Sequence, residues 1–342
     1  YDIFFNSEGF KQYSQEIGVD LRAKYLTNIV KFMRPDMFAK GKLPDAGMDS
    51  WQQGCPGSTG FTTGKLLHDP RYMRRFVDHM QRIPFMIYGS DGAYYEGPGY
   101  TCLQLNPMMK MRNLNGYSDP KSFAPPEGEE RVENWWYPQG HYETFHRKAY
   151  TIQRELALPH GKAVVYNDAG GSFPSASYIQ QTRKPRSFNV MKHGLKHVVL
   201  GDGVGEDQIQ THLLFGLDSK HGHSDTMSLQ IFAKGHYLMD DISYPKHRMR
   251  GAYGGIMLHN SGLIDGRGHA RGPVGDGKPH YYEPRLNGLA AVRINGENMY
   301  VGNSDVFERT AVNVTVDPKR SYVVDLFRMN GGRKWREYML LG

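Results

Sequence analysis

The stretch Asp218-Ser-Lys-His221-Gly-His223-Ser-Asp225-Thr-Met-Ser-Leu-Gln-Ile-Phe-Ala-Lys-Gly-His-Tyr-Leu-Met-Asp240-Asp241 places two histidines two positions apart, ahead of an alternating apolar run that ends in acid. Residues i and i+2 of a strand point to one face, so His221 and His223 are expected to share a pocket on a β-sheet. Met227, Leu229, Ile231 and Ala233 alternate with Ser228, Gln230 and Phe232. A Lys234-Gly235 turn then returns the chain through Tyr237-Leu238-Met239 to Asp240-Asp241. The hairpin brings a carboxylate back beside the histidines. His259, followed by Asn260, ends the run Ile256-Met257-Leu258 and completes a His/Asp/His set suited to Zn²⁺ or a similar divalent ion. The competing reading of a His-x-His pair is polar surface or core hydrogen bonding.

Outward from this stretch, the second half of the chain reads as β and the first as helical. Short strands are expected at 197–200, 211–215, 228–233, 255–264, 289–294, 299–301, 311–316 and 322–327, with Asn295-Gly296 and Asn330-Gly-Gly332 as hairpin signals. Helical spacing of apolar residues marks 21–33, 72–83 and 141–158. Gly/Pro-rich loops at 52–60 and 90–100 separate the helices, and 167–187, rich in Gly, Ser and Pro, reads as a connector. The expected organisation is α+β and multidomain: a helical portion over 1–165, a connector over 166–190 and an antiparallel β-sandwich over 191–342. The apolar run at 338–342 reads as a strand cut short, so a piece of a longer protein is expected.

With 342 residues the chain can build a substantial core. Mean hydropathy is −0.61, and no apolar run approaches the length of a membrane span. The net charge of +7 and pI near 9.1 suit a polyanionic partner. The basic residues are scattered, however, and no zinc-finger or RNA-binding aromatic signature accompanies them, so an acidic glycan fits at least as well as nucleic acid. Forty glycines, 22 tyrosines and 4 tryptophans suit a loop-rich groove that stacks on sugar rings. Two cysteines, Cys55 and Cys102, exclude a disulfide scaffold and a cysteine zinc finger. Asn313-Val-Thr315 has the form of a glycosylation sequon inside a strand-like run.

Five motifs, in this order, resemble the heparinase II/III-like polysaccharide lyases and the related dermatan sulfate epimerases. They are Ser90-Asp-Gly-Ala-Tyr-Tyr-Glu-Gly-Pro-Gly-Tyr100, His221-Gly-His223-Ser-Asp225, Gly235-His-Tyr-Leu-Met-Asp-Asp241-Ile-Ser-Tyr244, His259-Asn260-Ser-Gly-Leu-Ile-Asp-Gly266 and Tyr322-Val-Val-Asp325-Leu-Phe-Arg. The resemblance implies an (α/α) toroid joined to an antiparallel β-sandwich, a secreted or periplasmic enzyme and a uronate-containing anionic polysaccharide as substrate. It implies Tyr100, His221 and Tyr244 as catalytic residues and His223, Asp241 and His259 as ligands of a divalent metal, zinc foremost. Asp241 rather than Asp240 takes the ligand position, three residues before the tyrosine. One departure lies upstream, where the family has an Asn or Asn-His that neutralises the uronate carboxylate. Here Trp51-Gln52-Gln53 stands, leaving Gln53 to donate that hydrogen bond, with His68 as the other candidate.

The chemistry explains the residue types. Lytic cleavage removes the C5 proton of a uronate and expels the 4-linked oxygen, and the charge developing on the carboxylate has to be met by hydrogen-bond donors or cations. A tyrosine serves as acid or base when neighbouring positive charge lowers its pKa from about 10. Rival readings are a uronyl C5-epimerase, a non-catalytic glycan-binding protein and a cupin-type oxygenase. The last wants a Glu soon after the histidine pair, and after His223 the first is Glu283.

Overall fold

The computed structural model describes residues 7–32, 70–86, 88–94, 111–125, 127–137, 139–159, 164, 187–216, 223–241, 258–270, 275–300 and 302–340. Among the described residues, four α-helices come first: α1 (Glu8–Glu16), α2 (Leu21–Phe32), α3 (Pro70–Met86) and α4 (Gln139–Glu155). Eleven strands follow: β1 (Val190–Lys192), β2 (His197–Asp202), β3 (Ile209–Leu214), β4 (Leu229–Ala233), β5 (His236–Met239), β6 (Gly262–Ile264), β7 (Lys278–Leu286), β8 (Leu289–Asn295), β9 (Ser304–Asp317), β10 (Arg320–Gly331) and β11 (Arg336–Tyr338). They form a five-stranded sheet ordered β1-β2-β3-β4-β5, a four-stranded sheet ordered β10-β9-β8-β7 and a small β11-β6 pair, with antiparallel pairing throughout.

Alternation along each strand sets the layers. Val198 and Leu200 of β2, Leu213 of β3, and Leu229 and Ile231 of β4 share one buried cluster with Val292 and Ile294 of β8 and Phe307 and Ala311 of β9. This is the core between the two large sheets, each side chain contributing about 1.5–3 kcal/mol as it leaves water. The opposite face of the five-stranded sheet is covered too. Val199 and Leu214 pack with Ile152 of α4, Leu156, Ala93 and Leu195. Burial on both faces is why β3 is buried at all six positions although its sequence, Ile-Gln-Thr-His-Leu-Leu, mixes polar with apolar residues. A separate cluster holds the helical part together, built from Met73, Phe76 and Val77 of α3, Ala149 of α4, and Tyr88, Tyr94 and Met111 between them.

The helices expected at 21–33, 72–83 and 141–158 are present, with α1 in addition. Several β expectations need correction. Residues 299–300 belong to a 3-10 turn over Glu297–Tyr300, which drops Met299 and Tyr300 into the core. For the same reason Asn295-Gly296 is no two-residue hairpin, although β8 and β9 still pair through Asn295 and Glu308 across a longer loop. The tight two-residue turn is instead Asn287-Gly288, both at positive φ, joining β7 to β8. Asn330-Gly-Gly332 closes no hairpin either, because β11 leaves β10 and pairs with β6. Of the expected strand 255–264, Gly262–Ile264 is the strand among the described residues. Asn313 of the sequon is buried inside the sandwich, where its amide donates to the carbonyl of Leu200 at 2.6 Å and accepts from Thr211 Oγ1 at 2.5 Å. It is therefore inaccessible to a glycan.

Candidate metal centre

His223, Asp241 and His259 come from three different segments and converge. Each is nearly or fully buried, and one potential ligand atom from each lies within 4.8 Å of the others. His259 Nδ1 and Asp241 Oδ2 are 2.8 Å apart, and the two imidazole centroids are 5.4 Å apart.

The three side chains stand on irregular backbone between strands rather than on strands, which corrects the strand placement expected for His223; His221 lies outside the described residues. His223 stands in irregular backbone just before the turn that leads into β4, where Ser228 N–H donates to the carbonyl of Asp225 at 2.7 Å and Met227 takes a left-handed φ of +67°. Met227 is thus outside the alternation of β4, though still buried. Asp241 follows β5. The Asp240 carboxylate accepts from the Asp241 N–H at 2.7 Å, while the Asp241 carboxylate meets His259; these roles separate the two neighbouring acids. His259 occupies a bend before β6 rather than a strand end.

Asn260 and Ser261 stitch these segments together. Asn260 Nδ2 donates to the carbonyl of Asp240 at 2.7 Å, Leu229 N–H donates to the carbonyl of Asn260 at 3.1 Å, and Ser261 Oγ donates to the carbonyl of Thr226 at 2.8 Å. Each bond crosses from one ligand-bearing segment to another, so the three side chains are fixed relative to one another by backbone contacts.

The donor set fits a divalent metal. Two imidazoles and a carboxylate are the nitrogen and oxygen ligands that zinc accepts, with a fourth position left for water or another group. Asp241 Oδ1 is buried and has no hydrogen-bond partner among the described residues, a costly state for a carboxylate oxygen unless a cation meets it. Tyr100, His221, Tyr244 and Gln53, with the alternative His68, lie outside the described residues, as do Cys55 and Cys102.

The start of the sequence stretch 90–100 falls in a described loop over 88–94. Tyr88 and Tyr94 are buried and bridge one another, and Gly89 N–H donates to the carbonyl of Ala93 at 2.7 Å. The Asp91 carboxylate accepts from Ala93 N–H at 3.0 Å and from Gly194 N–H, in the β1–β2 turn, at 2.8 Å. The helical part and the β part therefore meet at the root of this loop.

No family model and no curated protein matches the chain. Solved structures do. A heparinase III structure superposes with a TM-score of 0.59 at 16% identity, covering 80% of this chain and 46% of that one. The heparan sulfate lyase HepC from Pedobacter heparinus superposes with a TM-score of 0.57 at 14% identity, covering 96% of this chain and 51% of that one. The chain spans about half the length of these structures. At such identity the likeness speaks to architecture: the chain has a heparinase-like fold, in which helices precede antiparallel β-sheets.

Proposed function

We propose that the chain acts as a polysaccharide lyase that cleaves a uronate-containing anionic glycan by β-elimination. The observation that carries this reading is the buried His223/Asp241/His259 cluster, set between strands of a β-sandwich with a heparinase-like fold. The basic balance of the chain suits a polyanion. In this reading residues 1–165 contribute part of an (α/α) toroid, 166–190 connect it to the sandwich over 191–342, and a polymeric substrate places the protein in the periplasm or outside the cell.

Elimination needs a base at C5 and an acid at the 4-linked oxygen. The C5–H bond breaks, its electron pair forms the C4–C5 double bond, and the C4–O4 bond breaks as O4 takes a proton. Tyr100 and His221 form this acid–base pair, with Tyr244 beside them. Gln53 donates to the uronate carboxylate and stabilises the charge that develops there. His223, Asp241 and His259 hold a divalent ion, zinc foremost. When bound, that ion supplies fixed positive charge that locks the turn leading back to His221. The chain's own contribution is to keep that turn rigid: it is buried from His223 to Ser228 and tied to Ser261 and to β3.

Incubation with alginate, heparan- and chondroitin-type polymers in deuterium oxide tests the reading. A lyase yields shortened chains with an unsaturated uronate end. Intact polymer carrying deuterium at C5 identifies an epimerase instead, and unchanged polymer throughout identifies a glycan-binding protein.

A further inference from the structure

Arg309 is an anomaly of the sandwich core. It lies on β9 in the inward phase shared by Phe307, Ala311 and Asn313, and it is fully buried. A guanidinium between two sheets is costly unless every donor is met, and here the partners are specific. Nε and Nη2 form a two-pronged contact with Asp325 of β10 at 2.9 and 2.7 Å. Nη2 also bonds the Tyr338 hydroxyl of β11, and that hydroxyl bonds Asp325. The guanidinium stacks over Phe327 and Tyr338 at 4.9 and 5.2 Å.

The remaining nitrogen, Nη1, does something the sandwich itself has no use for. It donates to the carbonyl of Met227 at 2.5 Å and to the carbonyl of Asn260 at 2.5 Å. Met227 lies in the turn that follows His223, four residues along the chain, and Asn260 follows His259. One nitrogen thus clamps together the two histidine-bearing segments. Met227 also takes a left-handed φ, a conformation that costs energy in a non-glycine residue. Lysine offers a single ammonium and no planar fork, so it cannot grip Asp325 with two nitrogens and the carbonyls with a third.

We propose that Arg309, held by Asp325 and Tyr338, is a positioning residue of the metal centre: it sets the separation of His223 and His259 by clamping the carbonyls of Met227 and Asn260. This deepens the metal-site reading and rests on it. Among the described residues, the hydrogen bonds from Arg309 to the ligand-bearing segments go to backbone carbonyls. Its loss therefore moves metal affinity, whereas an ordinary core residue moves stability alone.

The test is a zinc titration of metal-stripped protein against a chromophoric chelator, on wild type, Arg309→Lys, Arg309→Met/Asp325→Leu and Val292→Ala. The double variant removes both charges, so that no carboxylate is left buried and unpaired. Val292→Ala opens the same core without removing a hydrogen bond to the ligand-bearing segments and controls for general destabilisation. Zinc affinity is expected to fall about 10–100-fold in the double variant and in Arg309→Lys, the range for residues that orient metal ligands, and to stay at the wild-type value in Val292→Ala. Wild-type affinity in Arg309→Lys, or an equal loss in Val292→Ala, overturns the inference and leaves the metal site standing. A wild-type protein that binds no zinc overturns the metal-site reading and the inference with it.

Discussion

Gly194 donates its backbone N–H to Asp91 across 103 residues of sequence, joining the turn between β1 and β2 to the loop that follows α3. The approach is close because neither backbone carries a side chain at the contact: a Cβ on Gly194 would stand 2.8 Å from Gly89 Cα and against the Asp91 carboxylate, and one on Gly89 would stand 2.6 Å from Gly194 Cα. Gly194→Ala is therefore expected to push the loop root away from the sheet, at a cost of about 1–3 kcal/mol, as for overpacking. Urea unfolding of the variant measures it. An unchanged midpoint would show that the two parts are not rigidly docked here.

A buried relay runs from the sheet toward the segment after α4. Gln210 Nε2 donates to the carbonyl of Ala157 at 3.2 Å, which leaves Gln210 Oε1 to accept from His212 Nε2 at 3.0 Å; His212 Nδ1 then accepts from His197 Nε2 at 3.1 Å. Both histidines are neutral in this network. Burial pushes His212 down to about 3, and burial together with the neighbouring His212 holds His197 well below its ordinary value. Burial, aided by Arg112, lowers His146 to about 4. An unfolded chain protonates these rings near pH 6.5 while the folded protein does not, so the unfolded state binds more protons below that pH. Stability is expected to be full above pH 6.5 and to fall steadily as the pH drops toward 4. In His212→Gln, which keeps a hydrogen-bonding side chain without a titrating ring, the decline should be shallower. Urea midpoints across this range check it, and identical slopes in the two proteins would remove His212 from the account.

Asn313 bridges the two sheets through Thr211 and Leu200, so Asn313→Ala leaves a buried carbonyl and a buried hydroxyl without their partner. A loss of about 1–3 kcal/mol is expected. Mass analysis of protein secreted from a glycosylating host is expected to show no glycan at this residue. A glycan there would contradict its burial.

The His223, Asp241 and His259 grouping was legible in sequence, for one physical reason: chemistry restricts residue type, so His, Asp and His stand out whatever backbone carries them. The backbone was less legible. Spacing placed His223 on a strand, whereas irregular backbone ahead of β4 presents it, because the neighbouring turn at Met227 is held by tertiary partners that no local pattern encodes. Two of the Asn-Gly dipeptides make the same point. Asn287-Gly288 forms a two-residue turn, while Asn295-Gly296 does not, since burial of Met299 and Tyr300 outweighs local turn preference. Arg309 left a trace in the alternation of β9, an arginine in the inward phase matched by Asp325 on the next strand, yet charge at a core position reads first as an edge or surface residue.

Removal of metal is expected to act through stability. A ligand bound only by the folded state adds RT ln(1 + [L]/Kd), about 4 kcal/mol at a thousandfold excess over Kd. Chelation of the wild type should lower its melting temperature, and His259→Ala should start from the lowered value and ignore the chelator. A chelator effect of equal size in both proteins would place the ion elsewhere.

The most direct measurement is the ultraviolet absorbance of unsaturated uronate released from a panel of uronate polymers by wild type and by Tyr100→Phe, with polymer binding followed in parallel. The account predicts that wild type releases the product from at least one polymer, and that Tyr100→Phe binds that polymer equally well but turns it over about 10²-fold more slowly or worse, the scale for losing a positioned acid or base. No absorbing product from wild type on any polymer, with binding intact, would contradict it.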